Sequence, residues 1–426
     1  MSKVLHLFVG TWLFLLVLGK PCFAQNSKTF FHGFSPFDEL SQQPINCMLQ
    51  DSKGYFWIGT FSGLYLYDGL ELTHFTHKAE DTHSLLNNNV DDLVEDRYGQ
   101  IWINCESGLS VYIPKEGKFY SWLDKNSKDL YKSQRGTVLS IAKSGNEIEE
   151  IIPFEHQKDH LNKVTLIKRQ ELEEIPKDFR FRLCIEDKKG RLWVGCNHGL
   201  LTFNPSGKLE YLQKSPSINR LALSPDQQSL WVGFRHPFIQ EVSISQNDKT
   251  SWKWNRKITF SKDPRIGTRD LLIDQNQTVW IATSNGLFEV DLQANSHGQE
   301  VIHHQADETR FGALSNNRLK YIYQDDHENI WFCTIQGVKQ VREKPFEWEH
   351  IKLWAENYTP LDQDINTIYE DTQQRLWVGT NNDGLFCRLN PQEAFVKISL
   401  PQNKCGEITE TSSGEILVGM ENTVWA

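Results

Sequence analysis

The sequence predicts an all-β protein: a seven-bladed β-propeller followed by about two blades of a second, incomplete propeller. Three observations carry this expectation. One motif, a turn Asp followed by Gly or a polar residue, a Trp and a Gly-Leu turn, recurs along the chain at a spacing that suits one small four-stranded sheet per copy. Each copy reads as consecutive short strands. A strand-like segment ahead of the first copy has no sheet of its own.

The fullest copies are residues 51–64 (DSKGYFWIGTFSGL), 96–109 (DRYGQIWINCESGL), 187–200 (DKKGRLWVGCNHGL) and 274–287 (DQNQTVWIATSNGL). Later copies centre on Trp331 and Trp377, and weaker ones on Trp231 and Leu417. The 91-residue gap between Trp102 and Trp193 is about twice the 45-residue interval between Trp57 and Trp102. It places a degenerate third blade over residues 137–180, where 137–152 (TVLSIAKSGNEIEEII) keeps strand, Gly turn and strand around Ile148 but has lost the Trp. Nine copies result.

Within a copy, a strand such as VDDLVED or INTIYED leads into the Asp turn, since Asp can accept from its own backbone two residues on and Gly takes positive φ. WIGT is a second strand rich in β-formers. Gly63, Gly108, Gly199, Gly286 and Gly384 make the next reversal, and segments such as YLYDG and LTHFT supply the third and fourth strands. Four antiparallel strands repeated radially make a propeller blade. A large flat Trp ring at a fixed place in each is expected to pack between neighbouring blades.

Residues 1–24 carry Lys3, an apolar run from Leu7 to Leu18, and Cys22-Phe23-Ala24 with small residues where a signal peptidase cuts. A signal peptide cleaved after Ala24 is expected, and with it a periplasmic mature protein. The run is short for a membrane span. Pro21 and Lys20 argue against lipidation of Cys22.

Hydrophobic content of 39%, aromatic content of 12% and 14 Trp suit a repeat protein with many small cores. A net charge of −10 with both signs interspersed makes nucleic acid an improbable partner. Cleavage leaves seven cysteines, and Cys105 and Cys196 stand where other copies have Thr60 or Thr283. They read as small core residues. The spacing supplies no metal site, and no cofactor is expected.

The string Leu-Ser/Asn-Asn-Asn-x-Val/Leu, then Asp-x-x-Gly-x-Ile/Leu-Trp-Ile/Val-Gly-Thr-x-x-Gly-Leu, seen at 86–109 and echoed at 314–338 and 361–385, resembles the two-component regulator propeller repeat. In that family the repeats form the extracytoplasmic sensor of hybrid histidine kinases. The resemblance implies two seven-bladed propellers, an immunoglobulin-like domain, a membrane helix and a cytoplasmic output module. The sequence in hand runs to Ala426, at the turn of the ninth copy, and is expected to be truncated before those transducing parts. It implies a small ligand such as an oligosaccharide, contact with a membrane only through the downstream region, and a homodimer in the full-length receptor.

Residues 28–40 match the fourth-strand-and-loop segments at 71–86 and 300–314, yet no blade precedes them. An unpaired edge is a liability that ring closure removes. The N-terminal strand is therefore expected to complete the seventh blade, giving a ring over 25–345 and the start of a second propeller over 346–426.

No Gly-x-Ser-x-Gly, phosphate loop or zinc motif is present, and no catalytic set is expected. An Asp box of the sialidase kind puts Gly two residues after Asp, whereas Asp96 and Gly99 are three apart. Alternatives to the receptor reading are a free-standing exported carbohydrate- or protein-binding propeller and, third, a sialidase-like or lyase enzyme. Ligand contacts are expected from loops leading into the innermost strands. Counting back from the turn Asp selects Asn46, Asn89 and Asp91, Arg180 and Arg182, Arg269, and Arg318 and Lys320. Arg180, Arg182, Arg269, Arg318, Lys320 and Asn89 are the candidate ligand residues. The cations either bind an anionic sugar, carboxylate or sulfate or pair with acids such as Asp270 and Asp91.

Overall fold

The computed structural model describes residues 29–123, 127–151, 163–173, 175–244, 252–293, 300–307, 312–342, 364–389, 395–411, 413–420 and 423–425. The expected signal peptide and its cleavage after Ala24 lie outside them. The chain is all-β, with 53% strand and 3% helix. It divides into two units, Met1–Pro345 and Phe346–Ala426.

The repeating motif folds through one local device. In the first copy Asp51 turns the chain: its Oδ1 accepts from the backbone N–H groups of Lys53 and Tyr55 at 3.0 Å each. Its Oδ2 accepts from the indole N–H of Trp57 at 2.9 Å. The same bond joins Asp96 to Trp102, Asp187 to Trp193, Asp274 to Trp280, Asp325 to Trp331 and Asp371 to Trp377, at 2.8–3.0 Å. The turn needs positive φ three residues after the Asp. Gly54 supplies it at +86°, while Gln277, Glu328 and Gln374 adopt +61° to +64° without the freedom of glycine.

Each latched ring then packs on the next sheet. Trp57 lies in one core with Leu85, Val90, Leu93 and Ile101. Trp193 lies with Ile218, Leu230 and Val232, and Trp331 with Met48, Phe56 and Ile58. In the copy without Trp the Trp place falls to Leu139, on the strand before the expected centre Ile148, and Leu139 packs with Phe181, Val194 and Phe203 of the following sheet.

Seven four-stranded antiparallel sheets are described in the first unit. Their innermost strands are Ile45–Gln50, Val90–Glu95, Ser127–Lys132, Phe181–Glu186, Ile218–Leu223, Asp270–Ile273 and Leu319–Gln324. Each touches the next, and the last touches the first. The outermost strand of the seventh sheet is Phe30–His32, with Phe31 opposite Val341. The third sheet begins at Ser127, ten residues ahead of the expected boundary at 137. The sequence 127–132 (SKDLYK) lacks an alternating apolar pattern because its two core residues, Leu130 and Tyr131, are adjacent and pack into different cores. In the second unit, Ile365–Glu370, Leu376–Thr380, Leu385–Arg388 and Val396–Ile398 form a four-stranded sheet. The ninth copy forms three strands, and Val424–Trp425, expected to be a turn, is the third of them.

The Gly of Trp-Ile/Val-Gly is set by the approach of the next sheet. A Cβ on Gly59 would stand 2.4 Å from Cys47 Sγ and 2.6 Å from Val90 Cγ1. Copies with a side chain here use one that fits: Asn104 donates to and accepts from the Ser127 backbone at 2.9 Å in both directions.

Two outcomes follow. Asp274→Ala leaves the buried Trp280 N–H without its acceptor and should lower the unfolding free energy by about 1–3 kcal/mol in urea titrations, while Asp291→Ala at an exposed turn changes it by less than about 0.5 kcal/mol. Gly59→Ala should cost about 1–3 kcal/mol through overpacking. Gly33→Ala, where the nearest atom to the new Cβ is a lysine Nζ at 3.7 Å, should be near neutral.

Candidate functional site

The innermost strands share an irregularity near their start. Strand register slips between Ile45 and Cys47, Val90 and Asp92, Phe181 and Leu183, Ile218 and Arg220, and Leu319 and Tyr321. The skipped residues are Asn46, Asp91, Arg182, Asn219 and Lys320. In the sixth sheet Arg269 occupies the same place, its N–H donating to Ala282 O at 2.8 Å just ahead of Asp270–Ile273. A bulge re-aims the side chain of its extra residue and recurs beside functional sites. One register position thus carries six polar side chains around the ring.

Two of the six tie the ring together. Asn46 donates to Val90 O at 2.8 Å and Asn219 to Thr268 O at 3.0 Å, each reaching the next sheet. The other four are charged. Lys320 donates to Asn46 Oδ1 and stands 4.0 Å over the ring of Phe61. Burial and the charge of Arg269 lower its pKa, against the opposing pull of Asp91. Burial, then Arg235 and Arg220, lowers that of Arg182. Burial, then Arg318, lowers that of Arg269. Among the described residues Arg182, Arg235, Arg269 and Arg318 are exposed and form no ion pair.

The sequence-derived candidates divide accordingly. Arg182, Arg269 and Lys320 stand at the bulge position, with Arg318 close to Arg269. Asn89 accepts from Asn46 Nδ2 and donates to Glu106 Oε2, both at 3.3 Å. Arg180 is held by its own loop, its Nη1 donating to Lys177 O and Phe179 O at 2.8 Å. Counting back from the turn Asp passed over the fifth copy, where Ser224 stands in the Asp place, and so missed Asn219 and, one residue on, Arg220. It missed Arg235, which follows the second strand of that sheet, for want of any motif at that position.

One step further along the same strands lies a second polar layer. Asp270 Oδ1 takes the Arg220 Nε–H at 3.1 Å, and Asp270 Oδ2 takes the backbone N–H of Ile322 in the seventh sheet at 2.7 Å. Asp92 Oδ2 takes the backbone N–H of Leu130 in the third sheet at 2.8 Å. Asp129 accepts from the Tyr131 hydroxyl at 2.5 Å. Burial, then the charge and hydrogen bond of Asp129, pushes Asp92 well above the usual carboxylate range. Burial works against the charge of Arg220, but Asp270 and Asp129 outweigh it and hold the guanidinium protonated. Asp270, an expected partner of the mouth cations, is thus engaged by Arg220.

Elsewhere, a cleft of about 400 Å³ lies at the turn ends of the sixth and seventh sheets, lined by Asp274, Trp280, Gln324, His327, Glu328 and Asn329. Asp274 there is engaged by Trp280, and Asn329 donates to Asp325. Among the described residues no group of three His, Cys, Asp or Glu is arranged to hold a metal ion. The seven described cysteines are buried free thiols, and burial pushes Cys105 up to about 12.

The family profile described as two component regulator propeller matches residues 39–62, 84–107 and 359–382. Each match covers an innermost strand, the Asp turn and the second strand with its latched Trp. Three segments of the chain thus match the two-component regulator propeller repeat. A histidine kinase, P4 of Formosa agariphila, is 39% identical over 62 residues, which is 15% of this chain and 4% of the kinase. The extracellular domains of the Bacteroides thetaiotaomicron system proteins BT3049 and BT4673 superpose with TM-scores of 0.57 and 0.56 at 19% identity, over 92% and 93% of this chain. This propeller spans 52% of either of those chains. Staphylococcus aureus virginiamycin B lyase superposes with a TM-score of 0.53 at 15% identity, over 71% of this chain and 95% of the lyase. At these identities the likeness is one of fold.

The raised Asp92 gives a pH signature. A carboxyl whose folded pKa lies above its unfolded value contributes stability that is fully present below the unfolded value near ~4 and is lost as pH rises through the folded one. Asp92→Asn should remove this term. Unfolding free energies of the two proteins, measured from pH 5 to 9, should diverge in favour of the variant as pH rises.

Proposed function

We propose that this propeller is the periplasmic ligand-sensing region of a two-component signal-transduction receptor, and that the bulge-position mouth of its first unit receives an anionic ligand, an oligosaccharide foremost. The observation that carries the reading is the set of exposed guanidiniums, Arg182, Arg235, Arg269 and Arg318, gathered around one mouth without acidic partners among the described residues. Gathering like charges costs repulsion that a bound anion offsets. The alternative in which the cations are matched by ring acids is weakened, since Asp270 is taken by Arg220.

Export fits the superposed B. thetaiotaomicron chains, which are extracellular domains. Among the described residues no helix is long and apolar enough to cross a membrane. In a full receptor, ligand binding would shift packing between propeller units or protomers and pass through the membrane to a phosphorelay output. We favour binding over catalysis at the mouth because its exposed guanidiniums, Arg182, Arg235, Arg269 and Arg318, suit holding an anion.

Titration calorimetry of the mature chain with acidic oligosaccharides tests the reading. Arg269→Ala and Arg182→Ala should each weaken binding by about 1.5–3 kcal/mol, the worth of a charge-assisted hydrogen bond, with unchanged thermal unfolding. Absence of saturable binding by carboxylated and sulfated oligosaccharides alike would overturn it.

A further inference from the structure

The mouth is not uniformly cationic. Its sixth and seventh sheets present Arg269, Arg318 and Lys320, whereas its second presents Asp91 and Glu106, near enough for the charge of Glu106 to raise the pKa of Asp91 after burial. Between the two signs, on the first sheet, stands Phe61, a large apolar side chain left 49% exposed at the end of the Trp-Ile-Gly-Thr strand. Phe61 touches Lys320, Lys320 bonds Asn46, Asn46 bonds Asn89, and Asn89 bonds Glu106. The patch is therefore continuous from cation to aromatic to acid.

We propose that this patch reads one uronic-acid unit of an oligosaccharide, with its carboxylate on Lys320 and Arg269, a C–H face of its ring against Phe61, and its hydroxyls donating to Asp91 and Glu106. The proposal rests on the anion-binding reading of the mouth and assigns the ligand class. A dense polyanion would satisfy the cations but meet repulsion from Asp91 and Glu106. A neutral sugar would satisfy the acids and Phe61 but leave the cations uncompensated. A sugar bearing a single carboxylate among free hydroxyls matches all three parts. Carboxylates accept only, so Asp91 and Glu106 suit hydroxyl donors. An exposed aromatic face suits the apolar side of a pyranose.

The test measures binding of trigalacturonate, its carboxyl-reduced neutral counterpart and a densely sulfated heparin-type trisaccharide to the mature chain, by calorimetry in one buffer. The unaltered protein should bind trigalacturonate most tightly. Phe61→Ala should weaken that binding roughly 3- to 10-fold and Arg269→Ala roughly 10- to 100-fold. The double variant Asp91→Asn, Glu106→Gln should bind the sulfated sugar more tightly than the unaltered protein does. Phe61→Leu, which keeps apolar bulk and loses the flat ring, serves should the alanine variant fail to fold. If Arg269→Ala weakens binding while Phe61→Ala and Phe61→Leu do not, or if the sulfated sugar binds best, the uronate assignment is overturned and the anion reading stands. If Arg269→Ala changes nothing for any of the three sugars, the anion reading falls with it.

Discussion

The indole–carboxylate bond between each turn Asp and the Trp six residues later is the interaction on which the rest of this structure depends. It fixes the turn and the ring orientation together, since one carboxylate oxygen gathers the turn N–H groups and the other takes the indole. The ring so held is the apolar body that fills the space between neighbouring sheets, and Trp57, Trp102, Trp193 and Trp331 are almost wholly buried. A Trp buried without an acceptor would carry an unsatisfied donor, which is costly in a low-dielectric core. Local turn chemistry and long-range packing are therefore one constraint. Where the Asp and Trp are both replaced, by Ser133 and Leu139, the sheet survives on packing of Leu139 and Ile148 against Phe181 and Phe203.

A scaffold held this way leaves its mouth free to vary. At the bulge position backbone pairing is already broken, so the side chain there is released from the demands of the sheet. Asn46 and Asn219 use that freedom to tie the next sheet, and Asp91, Arg182, Arg269 and Lys320 put charge at the mouth. The layer beneath makes the opposite use of polarity. Arg220, Asp270 and Asp92 spend their groups on neighbouring strands, which joins the ring from inside and insulates it from the unpaired cations above.

Much of the fold was legible because the repeat is a local code. Asp51-x-x-Gly54-x-x-Trp57 specifies turn, strand and interface in seven residues, and its recurrence shows how many times the unit is built. The third sheet was legible only in its middle, around Val138–Ile151, because its innermost strand Ser127–Lys132 has only the adjacent Leu130 and Tyr131 as apolar residues and so no period-two pattern to read. Arg182, Arg269 and Lys320 were found by register alone. Arg220 was not, since the fifth copy has Ser224 in place of the turn Asp from which the register is counted.

The sequence by itself determined the strand-turn-strand unit, its number of copies and the place of each Trp, because those follow from hydrogen bonds and periodicities that span fewer than ten residues. Only the tertiary structure decided which charges meet. Asp270 pairs with Arg220, 50 residues away, and Phe61 stacks under Lys320 from the other end of the first unit's sequence. Such pairings depend on how consecutive sheets close around an axis, and sequence distance carries no record of that. The physical reason is that the repeat fixes each sheet locally, whereas the electrostatics of the mouth arise where seven separately encoded sheets come within a few ångströms of one another.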